Sequence, residues 1–294
     1  MKMYKNQTVK ELTGGWGGEW TKRKIEILVE YAQAYLQIMK DKTYWRLLYF
    51  DGFAGAGIII SEKERDINVT IGAARRILEL EAPRPFDHYV FVEKSGRNAK
   101  KLTEQTKDKY RDKDIRIVVG DCNEQLKRLA KYLQSPGGKN TRVLAYLDPH
   151  GMQLEWASVV ELAEASIDLW ILVPTGLGVN RLLKKNGEIT ESWLKRLSIF
   201  LGMSEDEIKE YFYREEIDYT LFGEELRVSK EEDAINKSAL LYKKRLEKVF
   251  QFVSEPYVLK SSRKVMMYHM YLASNNRTAA KIANDIVKKY NKME

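Results

Sequence analysis

Apolar residues recur along the chain at two different periods. From Thr21 to Met39, "TKRKIEILVEYAQAYLQIM" puts Ile25, Leu28, Tyr31, Tyr35 and Ile38 on one face at helical spacing, with Thr21 in the position of an N-cap. Four short apolar runs follow: "RLLYF" before Asp51, "HYVFV" before Glu93, "IRIVV" before Gly120 and Asp121, and "RVLAYL" before Asp148. Helical patterns separate them, around "GAARRILEL", "SGRNAKKLTEQTKDKY" and "NEQLKRLAKYL", and "EWASVVELAEA" leads to a fifth run, "IDLWILVP". Strands alternating with helices predict an α/β fold with a parallel sheet covered on both faces.

Beyond Gly178 the pattern turns helical only, in "SWLKRLSIFLG", "SEDEIKEYFYREE" and "EDAINKSALLYKKRLEKVF". Ser204 and Glu207 in "SEDE" read as a capping box. This predicts an all-helical insert over 178–253. Strand character returns in "YVLKS" and "VMMYHMYLAS", separated by "SRK", which suits an antiparallel hairpin, and a basic terminal helix follows from Thr278. The expected organisation is a Rossmann-like domain made of 1–177 and 254–294, interrupted by the insert.

With 294 residues and 44% apolar content, the chain can bury a sizeable core. Its 50 Lys and Arg against 42 Asp and Glu leave a formal charge of +8, which fits a nucleic-acid or nucleotide partner and equally fits a charge-rich surface. Trp193, Tyr211 and Tyr213 stand among basic residues, where they serve either base stacking or the core. Cys122 is the only cysteine, so this chain builds no internal disulfide and no cysteine cluster. His88, His150 and His269 are too scattered to suggest a zinc site. No apolar run approaches the length of a membrane span, and "MKMYKNQTVKELTGG" lacks the apolar segment of a secretion signal; the expected compartment is the cytoplasm.

Chemistry gathers at the strand ends. In an open α/β sheet, ligands bind outside the carboxyl ends of the strands, and four successive runs here end on an acid. The first continues into three glycines, "LLYFDGFAGAG". A dinucleotide fingerprint fails because Ile60 stands where its last glycine belongs, and a Walker loop fails for want of Gly-Lys-Ser/Thr. Taken singly, Gly55 and Gly57 suit a tight turn, Glu93 and Asp121 suit N-caps of the following helices, Cys122 suits a small buried side chain, and Asp148-Pro149 suits a turn. Together, in this order, they resemble the class I S-adenosylmethionine-dependent methyltransferases.

That resemblance implies roles for the matching residues. Asp51, Gly52, Phe53, Gly55 and Gly57 would form the loop around the methionine and ribose portions, with Asp51 orienting the amino group. Glu93, beside Lys94 in "VFVEK", would accept both ribose hydroxyls, and Asp121 the adenine amino group with Cys122 at the ring edge. Asp148, Pro149 and His150 occupy the substrate-facing motif, in the place where nucleobase amino-methyltransferases carry Asp-Pro-Pro-Tyr. The second proline and the stacking ring are absent here, and His150 stands as aromatic substitute, general base or plain loop residue.

The combination "WTKRKIEIL", "DGFAGAG", "VFVEKS", "LDPHGMQLEW" and "LVPTGLGVNRLL", from Trp20 to about Leu183, together with the ending "YHMYLASNNRTAAKIANDI", resembles the three-Cys-motif partner protein family. The resemblance implies a methyltransferase that works with a three-cysteine-motif protein on an unnamed acceptor. It leaves open two functions: a methyltransferase acting on a nucleic acid or nucleotide-like substrate, and a catalytically silent cofactor-binding scaffold for the partner. The stretch "GLGVNRLLKK" is expected to border the substrate pocket, or Asn180 and Arg181 merely begin a helix.

Overall fold

The computed structural model describes residues 19–61, 68–184, 187–220 and 223–292; the N-terminal stretch used to exclude a secretion signal lies outside them. Helix α1 (Glu19–Met39) leads into strand β1 (Arg46–Asp51), and a small hairpin of β2 (Ile58–Ser61) and β3 (Asn68–Ile71) follows. The alternating part of the chain is α2 (Ala73–Leu78), β4 (His88–Glu93), α3 (Gly96–Lys107), β5 (Ile115–Val119), α4 (Cys122–Gln134), β6 (Thr141–Leu147), α5 (Trp156–Val160) and β7 (Ile167–Val173). After a π-turn over Thr175–Val179 come α6 (Asn180–Leu182), α7 (Glu191–Leu201), α8 (Glu205–Phe212), the hairpin β8 (Tyr213–Thr220) and β9 (Gly223–Lys230), and α9 (Ala234–Val249). The chain ends with β10 (Phe252–Val253), β11 (Tyr257–Lys260), β12 (Met266–Ser274) and α10 (Arg277–Asn291).

The main sheet runs in the order β10-β12-β7-β6-β1-β4-β5, with β11 paired to β12. Strands β5, β4, β1, β6 and β7 are parallel, and β12 joins β7 antiparallel. This is the Rossmann-like class I methyltransferase fold, with the expected terminal hairpin as its antiparallel edge. The chain proceeds outward from β1 to β4 and β5, then returns to the other side of β1 with β6, so the switch in strand order lies between β1 and β6.

Every residue of β7 is buried, as a strand covered on both faces requires. Its side chains alternate: Leu169, Ile171 and Val173 join one core, Trp170 and Leu172 the other. The first core lies under α4, α5, α7, α8 and α9, with Leu126, Val159, Leu197, Phe200, Phe212 and Leu246 fully or almost fully buried. The second lies under α1, α2, α3 and α10, with Leu28, Ile77, Leu102 and Val287. Each such side chain stabilises the fold by about 1.5–3 kcal/mol relative to exposure. Asp168 at the base of β7 is also buried. Burial pushes its carboxyl pKa up, and the hydroxyls of Tyr31 (2.8 Å) and Ser274 (2.6 Å) donate to it, tying α1, β7 and β12 together.

Three local expectations are corrected. Thr21 is not an N-cap: it sits buried inside α1. Ile38 is exposed and Met39 is buried in its place at the end of the stripe. The insert expected over 178–253 is not all helical, because residues 213–220 and 223–230 form the β8–β9 hairpin and β10 at its end pairs with β12 in the main sheet. Of the hairpin's apolar residues Tyr213 is buried at the start of β8, whereas Ile217 and Tyr219 are exposed at 54% and 80%, so no buried face at strand period marks β8. What pairs the two strands is a backbone ladder that sets charge against charge, as with Glu216 opposite Arg227, and a turn at Gly223 with φ +121°. The Ser204–Glu207 capping box is formed as expected, and α7 ends at Gly202 in the left-handed region. Among the described residues no helix is long and apolar enough to cross a membrane.

Candidate active site

Strand register gathers the acids. Asp51 pairs in register with Tyr146 on β6 and Phe91 on β4, so Asp148 and Glu93 each lie two residues farther out on either side of it. Glu93 in turn pairs with Val119, which sets Asp121 two residues beyond. The four carboxylates therefore form a row across the carboxyl edge of the sheet at its switch point. They line a cleft of about 930 Å³, at the upper end of the size that holds a cofactor-sized ligand. All twelve residues singled out at this edge border it: Asp51, Gly52, Phe53, Gly55, Gly57, Glu93, Lys94, Asp121, Cys122, Asp148, Pro149 and His150.

Asp51 is almost wholly buried, and its Oδ1 accepts the Phe53 N–H at 3.0 Å. Burial raises its pKa, the neighbouring charges of Asp148 and Glu93 add to that, and the Phe53 N–H and Lys24 only partly offset them; the carboxyl is pushed up to about 7. Its Oδ2 takes no hydrogen bond from any described residue. Gly52 follows because a Cβ there would come 2.5 Å from Cys122 Sγ and 2.6 Å from Leu147 Cδ2. Gly55 is required for a different reason, since its φ is +64° and nothing lies within 4 Å of where its Cβ would be. Open space before a left-handed backbone is room for a ligand.

Glu93 holds this loop. Its Oε2 accepts the Gly55 N–H at 2.9 Å and its Oε1 accepts the Ser95 N–H at 2.7 Å, while Ser95 caps α3. A carboxylate offers about four acceptor positions, so both oxygens keep capacity for a diol. The N-cap reading is met by Asp121, whose Oδ1 accepts from Asn123 N at 2.9 Å at the head of α4. Its Oδ2 accepts from Lys94 Nζ at 3.1 Å. Partial burial raises the Asp121 carboxyl, but Lys94 and Asn123 outweigh it and hold it below the usual range. Cys122 is buried in the core as well as bordering the cleft, and burial pushes its thiol up.

At the other side of Asp51, Asp148 Oδ2 is engaged by the Lys24 ammonium and, at 3.3 Å, by the Tyr146 hydroxyl. Its Oδ1 has no partner among the described residues. Pro149 is buried and His150 exposed. Lys24 is the residue that the sequence reading missed. It stands four positions before Leu28 and seven before Tyr31, a cation within the apolar stripe of α1, and that position was its signal. Tyr146, Tyr268 and the α7 residues Ser192, Lys195, Arg196 and Ile199 also line the cleft unannounced. The stretch "GLGVNRLL" does not: Asn180 is held by Lys230 Nζ through its side chain (2.7 Å) and carbonyl (3.0 Å), away from the lining. Tyr213 belongs to the core, while Trp193 carries Lys184 over its ring at 4.8 Å and Tyr211 carries Lys237 at 5.2 Å.

Substituting Glu93→Gln replaces one acceptor oxygen with a donor, so the loop loses an anchor and a diol loses a partner. Affinity for a ribose-bearing ligand should fall by about 1.5 kcal/mol, roughly tenfold, by calorimetry. Unchanged affinity would show that the carboxylate serves the loop alone.

No protein-family model matches the chain, and no curated protein does. Among solved structures it is similar to protein LPL1258 of Legionella pneumophila, of the DUF519 family, at 13% identity over 93% of each chain with a TM-score of 0.45. It is also similar to the putative methyltransferase YhhF of Escherichia coli (9% identity, 68% of this chain and 85% of that one, TM-score 0.31). A third is Trm1 of Pyrococcus horikoshii, solved with S-adenosyl-L-methionine (12% identity, 92% and 71%, TM-score 0.36). Likenesses this distant assign no function, and the topology and the cleft carry the reading.

Proposed function

We propose that the chain is an S-adenosylmethionine-dependent methyltransferase acting on a nucleic acid or nucleotide-like substrate, together with a three-cysteine-motif protein that supplies the cysteines this chain lacks. The observation that supports it most is the row Asp121, Glu93, Asp51, Asp148 in one cleft at the switch point of the sheet, with open space before Gly55. The donor set fits that cofactor: Asp51 Oδ2 for an ammonium, the spare positions of Glu93 for two ribose hydroxyls, and Asp121 beside Cys122 for an adenine edge. When bound, the cofactor supplies a methyl group already activated on a sulfonium, so the protein need only align an acceptor and exclude water.

Alignment falls to Asp148. Its Oδ1 accepts the N–H or O–H of the acceptor and receives the proton that the acceptor loses, while Lys24 and Tyr146 hold the other oxygen and so fix the carboxylate plane. The same Lys24 pair is what favours the alternative, a silent scaffold, since it already engages Asp148. The free Oδ1 favours the enzyme. Calorimetric titration of the full chain tests the cofactor: S-adenosylmethionine and its demethylated product should bind and NAD should not. Binding of NAD with no heat from either methionine-derived ligand would overturn the proposal.

A further inference from the structure

Helix α7 turns two different faces outward and inward. Leu194, Leu197, Phe200 and Leu201 are buried in the core, whereas Ser192, Lys195, Arg196 and Ile199, at spacings of three, one and three, form one stripe along the cleft. The helix packs on α5, which follows the loop bearing Met152, Gln153 and Glu155, so its stripe borders the cleft beside the loop that leaves Asp148, a loop that Asn123 holds through the Gln153 carbonyl and the Glu155 N–H.

Charge on this wall is uncompensated. The other two cations bordering the cleft are paired, the buried Lys24 with Asp148 and the exposed Lys94 with Asp121. Lys195 and Arg196 are exposed, and among the described residues neither has a carboxylate or carbonyl partner, although five acids, Asp51, Glu93, Asp121, Asp148 and Glu155, line the same cleft. Beside them Ile199 is left 46% exposed on the helix that buries Leu194, Leu197, Phe200 and Leu201. An acidic floor and a free cationic wall with one apolar side chain suit a ligand that is anionic at the rim and hydrogen-bond donating at its inner end.

We infer that Lys195 and Arg196 are the phosphate contacts of the acceptor, with Ile199 against its base, and that the acceptor is a nucleotide within a single strand of nucleic acid. The cations sit at the exposed rim and not in the depth of the cleft, where a backbone that continues beyond the site would pass. A base that reaches Asp148 on the floor must leave its stack, which a single strand permits most readily. This deepens the proposed methyl transfer, on which it rests for the position of the acceptor. The phosphate contact itself is read without any cofactor.

The test is fluorescence anisotropy of the full chain with labelled single-stranded 12-mers of RNA and DNA and, by competition, with mixed nucleoside monophosphates, at 50 and 200 mM salt. The Lys195→Gln/Arg196→Gln variant should bind the strand about tenfold more weakly than wild type. Its salt slope should be lower by about 1.4, the loss of two contacts on a single strand. The variant Lys281→Gln/Lys288→Gln removes the same charge from the exposed face of α10 and should lose less than threefold; Lys195→Arg/Arg196→Lys should restore binding. If only the monophosphates bind, and bind more weakly to the α7 variant, the phosphate contact stands and the single-strand acceptor is overturned in favour of a free nucleotide. Equal weakening by the α7 and α10 variants, or no binding of strand or monophosphate by wild type, overturns both. Separate titration with S-adenosylmethionine shows whether the underlying cofactor reading stands or falls by itself.

Discussion

Asp148→Asn should retain cofactor affinity and lose methyl transfer by a factor of about 10² to 10⁴ in kcat. The reason lies in polarity and not in size. Lys24 Nζ and the Tyr146 hydroxyl both donate to Oδ2, so an amide at this position must turn its oxygen toward them. Its NH₂ then replaces Oδ1, and a donor faces the donor of the acceptor. Charge on the acceptor's departing proton loses its carboxylate as well. An interaction needed for reaction and not for cofactor binding lowers kcat and kcat/KM together, which is the pattern to look for. His150→Ala, at an exposed position, should cost less than tenfold. The assay follows labelled methyl into RNA, DNA and small-molecule extracts, with and without a three-cysteine-motif partner. Full activity of Asp148→Asn would remove its role, and a wild type inactive on every fraction, with its partner present, would favour the scaffold.

Cofactor affinity should rise about tenfold per pH unit from pH 5 and level off near pH 7, a hundredfold in all. Asp51 is the cause. Burial and the acids beside it push its carboxyl to about 7 in the free protein, so below that pH it is protonated and cannot hold an ammonium. A bound cation favours the ionised form, and binding below pH 7 must therefore expel a proton. Stability of the free protein moves in the opposite sense. The contribution of a raised carboxyl is fully present below its ordinary value of 3.8 and is lost as pH rises through 7, so Tm of the free protein should decline across that window from this group. Saturating cofactor should abolish the decline. Calorimetry in buffers of different ionisation heat counts the proton, and Asp51→Asn should flatten both profiles. A wild-type affinity that does not change between pH 5 and 7 would exclude Asp51 as the ammonium's partner.

The row of acids was legible in the sequence because each closes an apolar run, and strand period together with an acid at its end needs no partner to be recognised. The β8–β9 hairpin was not, since its apolar residues Ile217 and Tyr219 are exposed and give no buried alternation beyond Tyr213, and its many glutamates read as helix formers. Lys24 stood visible as a cation in an apolar stripe, yet its meaning depended on a residue 124 positions away.

By itself, then, the sequence determined the five parallel strands, the helices between them and the terminal hairpin, where the glycine turn falls, and that four carboxylates stand at strand ends, all consequences of local period and backbone freedom. Only the tertiary structure decided the rest. Strand order set β1 between β4 and β6, and register put Asp51, Glu93 and Asp148 in one row with two-residue offsets. Packing of α1 carried Lys24 onto Asp148, and packing of α7 laid Lys195 and Arg196 along the cleft wall. Such contacts join residues far apart in the chain through the burial of other side chains, Leu28 and Tyr31 on α1 and Leu197 and Phe200 on α7, so no local pattern at the site residues announces them.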